Sequence, residues 1–115
     1  MSLPSDNLIL RTDSYKASHF LQYPPGTTRL LGYFESRGGL YGETVLFGLQ
    51  YLLEEYLSRR VTDADVSEAG AFFSAHGLPF PEAGWRHVAR DLDGRLPVRI
   101  RAVPEGSVVP VRTRS

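Results

Sequence analysis

The spacing of apolar residues predicts a long helix in the middle of the chain. In the stretch VTDADVSEAGAFFSAHG, Val66, Ala69 and Phe73 recur at intervals of three and four residues, which places them on one helical face. Thr62, with an aspartate three residues later, gives a capping-box start, and Gly77 is a natural stop. The pattern therefore predicts a helix with one buried face.

Two further helices are predicted on either side of it. In PEAGWRHVARDLDG, Trp85, Val88 and Leu92 share one face, and a glycine follows. In GETVLFGLQYLLEEYLSRR, leucines recur at helical spacing. Glu43 stands near the expected start of that helix and Arg60 at its end, as the helix dipole favours.

A short helix is also predicted near the N-terminus, in the stretch SYKASHFLQY. Thr12, Asp13 or Ser14 can cap it, since all three residue types accept hydrogen bonds from a first helical turn. The sequence Pro-Pro-Gly at residues 24–26 then ends it with a turn.

Strands are expected at both ends of this helical middle. Residues 30–37 are rich in β-prone side chains, residues 98–102 alternate apolar residues with arginine, and residues 108–109 begin a last strand. The predicted class is α+β: a small mixed sheet formed by N- and C-terminal strands, with about four helices.

Composition narrows the function classes. A chain of 115 residues suits one small domain, and 13 basic residues balance 13 acidic ones, so no electrostatic footprint for nucleic acid or an anionic membrane is present. The absence of cysteine excludes disulfides, a cysteine nucleophile and cysteine-ligated metal. No apolar run approaches the roughly 20 residues that span a bilayer. A cytoplasmic location is expected.

The residue types alone identify no catalytic residue and no metal site. The three histidines are scattered, and no phosphate-binding loop or catalytic signature is present. Asp13, Tyr15 and Arg37 could form a partial binding surface beside Lys16, which is the only lysine in the chain. Composition alone favours structural roles for these four residues. Asp13 would cap a helix, Tyr15 would pack against the core, and Lys16 and Arg37 would be solvated charges.

Several motifs nevertheless occur in the order found in one enzyme family. The stretches TDSYKASHFLQYPPGTT, YFESRGG, ETVLFGLQYLL and DGRLPVRIRAVPEGSVVP resemble nicotinamide phosphoribosyltransferases, and the dipeptide GW at residues 84–85 matches as well. The resemblance runs from about residue 8 to residue 110. It implies the N-terminal part of a type II phosphoribosyltransferase, without the barrel that follows in the family.

The resemblance implies a reaction and three substrate contacts. Nicotinamide displaces pyrophosphate from 5-phosphoribosyl 1-pyrophosphate to give nicotinamide mononucleotide, a step of NAD salvage, in a homodimer whose sites are shared. Tyr15 matches a tyrosine that stacks on nicotinamide from the partner subunit. Asp13 matches an aspartate near the nicotinamide amide, and Arg37 an arginine that contacts substrate phosphates across the dimer. Mg²⁺ and ATP are expected for the full-length enzyme, and no cofactor for this chain.

The resemblance also predicts the domain organisation. Residues 1–7 are expected to form a flexible N-terminus, in which the first three residues belong either to the natural protein or to an added segment. Residues 8–110 are expected to form the family's N-terminal domain. Residues 111–115, VRTRS, depart from the family pattern and are expected to be a tail, out of frame or left by truncation. Because a barrel of about 200 residues or more would be missing, the chain alone is expected to be inactive.

Two alternatives stay open on the sequence. The chain could be a non-catalytic interaction or dimerisation module, or a fragment of a nicotinate phosphoribosyltransferase. Asp13 argues against the second alternative, because a carboxylate accepts an amide N–H but repels the carboxylate of nicotinate. Lys16 is expected either to pair with a nearby acid, which is the favoured role, or to add positive charge for phosphates.

Overall fold

The computed structural model describes residues 6–113 and confirms the α+β class. Residues 1–5 and 114–115 lie outside the described residues, and with them most of the predicted flexible N-terminus and the end of the predicted tail. The elements in chain order are 3₁₀ helices at Leu8–Leu10 and Ser14–Gln22, strand β1 (Glu43–Val45), helix α1 (Leu49–Leu52), a π-helical turn (Leu53–Leu57), helix α2 (Asp63–His76), helix α3 (Glu82–Asp91) and strand β2 (Val108–Pro110).

Helix α2 begins and ends as its sequence predicts. The Thr62 hydroxyl accepts a hydrogen bond from the Asp65 N–H at 3.2 Å, and the Asp65 carboxylate accepts one from the Thr62 N–H at 2.9 Å. These reciprocal bonds satisfy two backbone donors that the helix itself leaves unpaired. At the other end, Gly77 adopts a left-handed conformation, with a φ of 76°, and closes the helix.

The core lies where α2 meets α3 and the first 3₁₀ helix. Phe73 and Val66 are fully buried on the predicted face of α2, and the Phe73 ring stacks on Phe80 with centroids 5.4 Å apart. The buried core residues are Ile9, Val61, Val66, Ala69, Phe73 and Val88. The predicted apolar face of α3 also packs here, so the spacing in both helices identified the core correctly.

Asn7 fastens the N-terminal segment to helix α2. Its side chain is buried, donates to the backbone oxygen of Asp65 at 2.8 Å and accepts from the Ile9 N–H at 3.1 Å. A buried amide is costly unless both of its ends are paired, and here both are. These hydrogen bonds position the 3₁₀ helix that follows, Leu8–Leu10, against the core.

A charged cluster clamps the N-terminus of α2 to α3. One Nη atom of Arg86 donates to Asp63 at 2.9 Å and the other to Ser67 at 2.9 Å, while Arg90 Nε lies 3.1 Å from both Asp63 carboxylate oxygens. These hydrogen bonds, those from Arg86 first and those from Arg90 second, lower the pKa of Asp63. The Arg86 pKa is raised by its hydrogen bond to Asp63 first and by its hydrogen bond to Glu82 second.

Replacing Asp63 with asparagine is expected to flatten the acid limb of the stability curve. The folded pKa of Asp63 lies below its ordinary value of 3.8, so its contribution is present above that value and is lost as pH falls through the folded pKa. Urea unfolding at several pH values between about 5 and 2 measures how the free energy of unfolding differs between wild type and Asp63→Asn. Glu54→Gln is the control, because Glu54 forms no ion pair within residues 6–113. Equal acid sensitivity of wild type and Asp63→Asn would contradict the assignment.

The sheet consists of two short antiparallel strands. Thr44 of β1 lies opposite Val109 of β2. The loop before β2 also reaches α1, because the Glu105 carboxylate accepts from the N–H groups of Gly48 at 2.9 Å and Gln50 at 2.8 Å. Hydrogen bonds from Gln50 and then Gly48 lower the pKa of Glu105. The carboxylate therefore caps α1, which has no side-chain cap of its own.

The predicted strands at residues 30–37 and 98–102 do not form ladders. The first is extended with a single bridge residue, Glu35, and the second is irregular. Both predictions were wrong. β-propensity reflects the fit of a side chain to a pleated, half-buried surface, and within residues 6–113 neither segment forms a continuous ladder with a neighbouring strand. Only the strand predicted at residues 108–109 is confirmed.

The third predicted helix begins later than its leucine pattern suggested. Glu43 lies in strand β1 and not at a helix start, and the helical region begins at Leu49. Gly48 separates the two elements with a φ of 99°, a conformation that glycine adopts easily. The β-branched pair of Thr44 and Val45 favours the strand, which outweighs the helical spacing of the leucines beyond it.

Candidate functional site

The second 3₁₀ helix carries three of the four candidate residues. Asp13 is its N-cap residue, although its side chain makes no capping hydrogen bond, and Tyr15 and Lys16 follow in the first turn. The helix is held at its start by Ser14, whose hydroxyl lies 3.4 Å from Nε2 of His76 at the end of α2. The predicted helix is thus confirmed, in 3₁₀ form, and it projects this turn from the core.

Tyr15 presents an aromatic ring to solvent. Its side chain is 57% exposed, and the ring meets His19 edge-on with centroids 5.4 Å apart and planes at 60°. The contact with His19 leaves more than half of the Tyr15 side chain exposed. An exposed aromatic ring of this kind can stack on a flat heteroaromatic molecule.

Asp13 and Lys16 form an ion pair that leaves both groups accessible. Lys16 Nζ lies 3.6 Å from an Asp13 carboxylate oxygen, and both side chains are about half exposed or more. Exposed pairs of this type contribute between about 0 and 1 kcal/mol, so the pair holds neither group in place strongly. The Asp13 carboxylate keeps the capacity to accept a hydrogen bond from a ligand amide.

Arg37 lies on a different part of the fold. It follows Ser36, whose backbone oxygen accepts from the Arg112 N–H at 2.8 Å, so it borders the chain that leaves strand β2. Its side chain is exposed. In residues 6–113, no hydrogen bond, ion pair or ring contact joins Arg37 to Asp13 or Tyr15. The structure therefore groups Asp13, Tyr15 and Lys16, and within residues 6–113 Arg37 makes no direct contact with them.

The described residues do not fit a metal site of their own. Between residues 6 and 113, no group of three or more His, Asp or Glu side chains is arranged to hold a metal ion. None of the helices in this range is long and apolar enough to cross a membrane.

Two features of the structure were not predicted from the sequence. Glu105 caps a helix that lies more than fifty residues earlier in the chain, and no local sequence pattern indicates this contact. Lys16 and His19 border a cavity against Trp85, a neighbourhood that depends on how separate helices pack. Tyr15 and His19 lie four residues apart on the second 3₁₀ helix, and their rings make an edge-on contact.

The family described as nicotinamide phosphoribosyltransferase, N-terminal domain, matches residues 7–100. The chain therefore contains a phosphoribosyltransferase domain of the N-terminal type.

Two curated relatives carry the family's full name. A nicotinamide phosphoribosyltransferase of Xanthomonas campestris pv. campestris is 62% identical over 105 residues, which is 91% of this chain and 22% of the relative. One of Acinetobacter baylyi is 29% identical over 116 residues, covering 87% of this chain and 23% of the relative. This chain belongs to the nicotinamide phosphoribosyltransferase family, and it spans less than a quarter of the length of these relatives.

Proposed function

We propose that the chain supplies the N-terminal domain of an enzyme that forms nicotinamide mononucleotide and pyrophosphate from nicotinamide and 5-phosphoribosyl 1-pyrophosphate. The observation that carries this proposal is the 62% identity to the Xanthomonas relative across 91% of the chain. The described residues include no complete set of groups for this chemistry. A leaving pyrophosphate needs positive charge arranged around it, and Arg37 is one such group.

The proposed roles come from the family resemblance, and the exposure of the three side chains is compatible with them. Tyr15 stacks on the nicotinamide ring, the Asp13 carboxylate accepts a hydrogen bond from the nicotinamide amide, and Arg37 binds substrate phosphate with its guanidinium group. The lack of direct contact between Arg37 and the Tyr15 turn within residues 6–113 supports a site completed by other groups, including those of a second subunit in a homodimer. A carboxylate at Asp13 supports nicotinamide over nicotinate as the substrate.

The exposed apolar surface supports association with further protein. Leu31, Leu40 and Phe47 are 96%, 89% and 85% exposed, which is unusual for large apolar side chains. This observation also favours the alternative function, a non-catalytic interaction module. Mg²⁺, ATP and a cytoplasmic location are proposed for the full-length enzyme on the family relationship alone.

A chimeric enzyme tests the proposal. Residues 8–110 replace the matching segment of the Xanthomonas relative, and nicotinamide mononucleotide formation is measured with Mg²⁺ and ATP present. The chimera is expected to be active, because the segments share most of their residues, whereas the purified chain alone is expected to give no product above a blank. A folded but inactive chimera would contradict the proposal and favour the interaction module. Turnover by the chain alone would contradict its expected dependence on further residues.

A further inference from the structure

A cavity lies beneath the second 3₁₀ helix, on the side that faces the core. It has a volume of about 240 Å³ and is bounded by aromatic rings of α2, of α3 and of the connection between them, namely Phe73, Trp85 and Phe80. Ala17 of the 3₁₀ helix lies over it. Asp13, Tyr15 and Arg37 do not line this cavity, so it is separate from the proposed substrate contacts.

The volume of the cavity and its aromatic walls indicate the size of a ligand and the type of ring it would contain. An apolar cavity of about 150 Å³ holds one benzene molecule, and drug-sized molecules need about 300 Å³ or more. A cavity of about 240 Å³ therefore suits one aromatic ring with a small substituent. Ring faces and edges of Phe73, Phe80 and Trp85 favour an aromatic ligand over a branched aliphatic one.

The residues at the rim of the cavity indicate the charge of the substituent on that ring. Lys16 and His19 both line it, and no acidic side chain of residues 6–113 does. The ion pair of Lys16 with Asp13 is long and exposed, so the Lys16 ammonium can turn to another anion at little cost. We infer that this cavity binds a small one-ring aromatic carboxylate, with its ring among Phe73, Phe80 and Trp85 and its carboxylate at Lys16.

Trp85 gives a direct readout, because it is the only tryptophan in the chain. Benzoate is titrated into the purified full chain, and Trp85 fluorescence is followed with correction for absorption by the probe. A saturable change is expected with benzoate. Acetate, which lacks the ring, is expected to cause none, and benzyl alcohol, which lacks the charge, is expected to bind about threefold more weakly.

Two variants locate the site. Ala17→Leu fills the cavity and is expected to abolish the benzoate response, while Lys16→Gln is expected to raise the benzoate Kd about threefold and leave benzyl alcohol unchanged. Arg29→Gln is the matched control, since Arg29 is an exposed cation that does not line the cavity. It is expected to leave both affinities unchanged.

Backbone and indole NMR shifts in the wild-type chain keep the test independent of whether Ala17→Leu folds. Shifts are expected to centre on Phe80, Trp85 and Ala17. The inference is overturned if benzoate gives no saturable response up to its solubility limit, or if the shifts centre elsewhere. Equal loss of affinity in Lys16→Gln and Arg29→Gln would overturn the role of Lys16. Because no turnover is involved, these results do not depend on the proposed enzymatic function.

Discussion

Replacing Gly94 with alanine is expected to destabilise the fold by about 3 kcal/mol or more, enough to lower Tm by about 10 °C. Gly94 has a φ of 72°, where a side chain is strained. A Cβ atom there would also lie 2.6 Å from the Val61 carbonyl oxygen and 2.8 Å from the Arg60 Cβ. The Gly94 carbonyl accepts from the Val61 N–H at 2.9 Å, so the two segments cannot separate without breaking that bond.

Gly77→Ala is the matched control for this prediction. Gly77 has a similar φ of 76°, but a Cβ atom there would meet nothing within 4 Å. Its replacement is expected to cost only the conformational strain of about 1 kcal/mol. Urea unfolding followed by circular dichroism measures both variants. Equal losses of stability would show that the contact with Val61 adds nothing to the cost at Gly94.

Helices α2 and α3 could be predicted from the sequence because their signals are local. A capping box, a terminal glycine and a three-to-four residue spacing act within the helix that they define. Val66, Ala69 and Phe73 were therefore placed correctly in the core before any tertiary contact was known. The same local logic predicted the turn at residues 24–26, where Gly26 adopts a φ of 82°.

The strands could not be predicted as well, because a strand depends on a distant partner. Residues 30–37 have suitable side chains but form no continuous ladder in the described part of the chain, whereas Glu43–Val45 pairs with Val108–Pro110 across more than sixty residues. The loop between Val98 and Glu105 returns the chain to α1, and no local pattern encodes that return. Pairing energy, and not propensity, decides which extended segment becomes a strand.

The candidate site divides in the same way. The short sequence from Asp13 to Lys16 forms one helical turn, so the proximity of these side chains follows from spacing. The position of Arg37 depends on the path of an extended segment, which spacing does not determine. Family resemblance supplied the roles of these residues, and the structure supplied their exposure. Together they identify Tyr15 as the residue whose replacement tests the proposed site most directly.

Tyr15→Ala in the chimeric enzyme is expected to lower kcat/KM for nicotinamide by about tenfold to a hundredfold. A face-to-face aromatic contact with a heteroaromatic ring contributes about 1–3 kcal/mol, and alanine removes it entirely. Tyr15→Phe keeps the ring and is expected to retain most activity, since the hydroxyl has no proposed role. Steady-state kinetics with nicotinamide varied at saturating 5-phosphoribosyl 1-pyrophosphate measure the effect.

Tyr41→Ala provides the control for a general effect of losing an exposed tyrosine. Tyr41 is 76% exposed, lies outside the Asp13–Lys16 turn, and is expected to leave kcat/KM unchanged. If Tyr15 had a structural role, Tyr15→Ala would lower the thermal stability of the chimera. Tyr15→Phe by itself does not distinguish a structural role from a stacking role. The stacking role predicts unchanged stability in Tyr15→Ala with reduced kcat/KM. Full activity in a folded Tyr15→Ala chimera would remove Tyr15 from the site, even if the chimera itself confirmed the family's reaction.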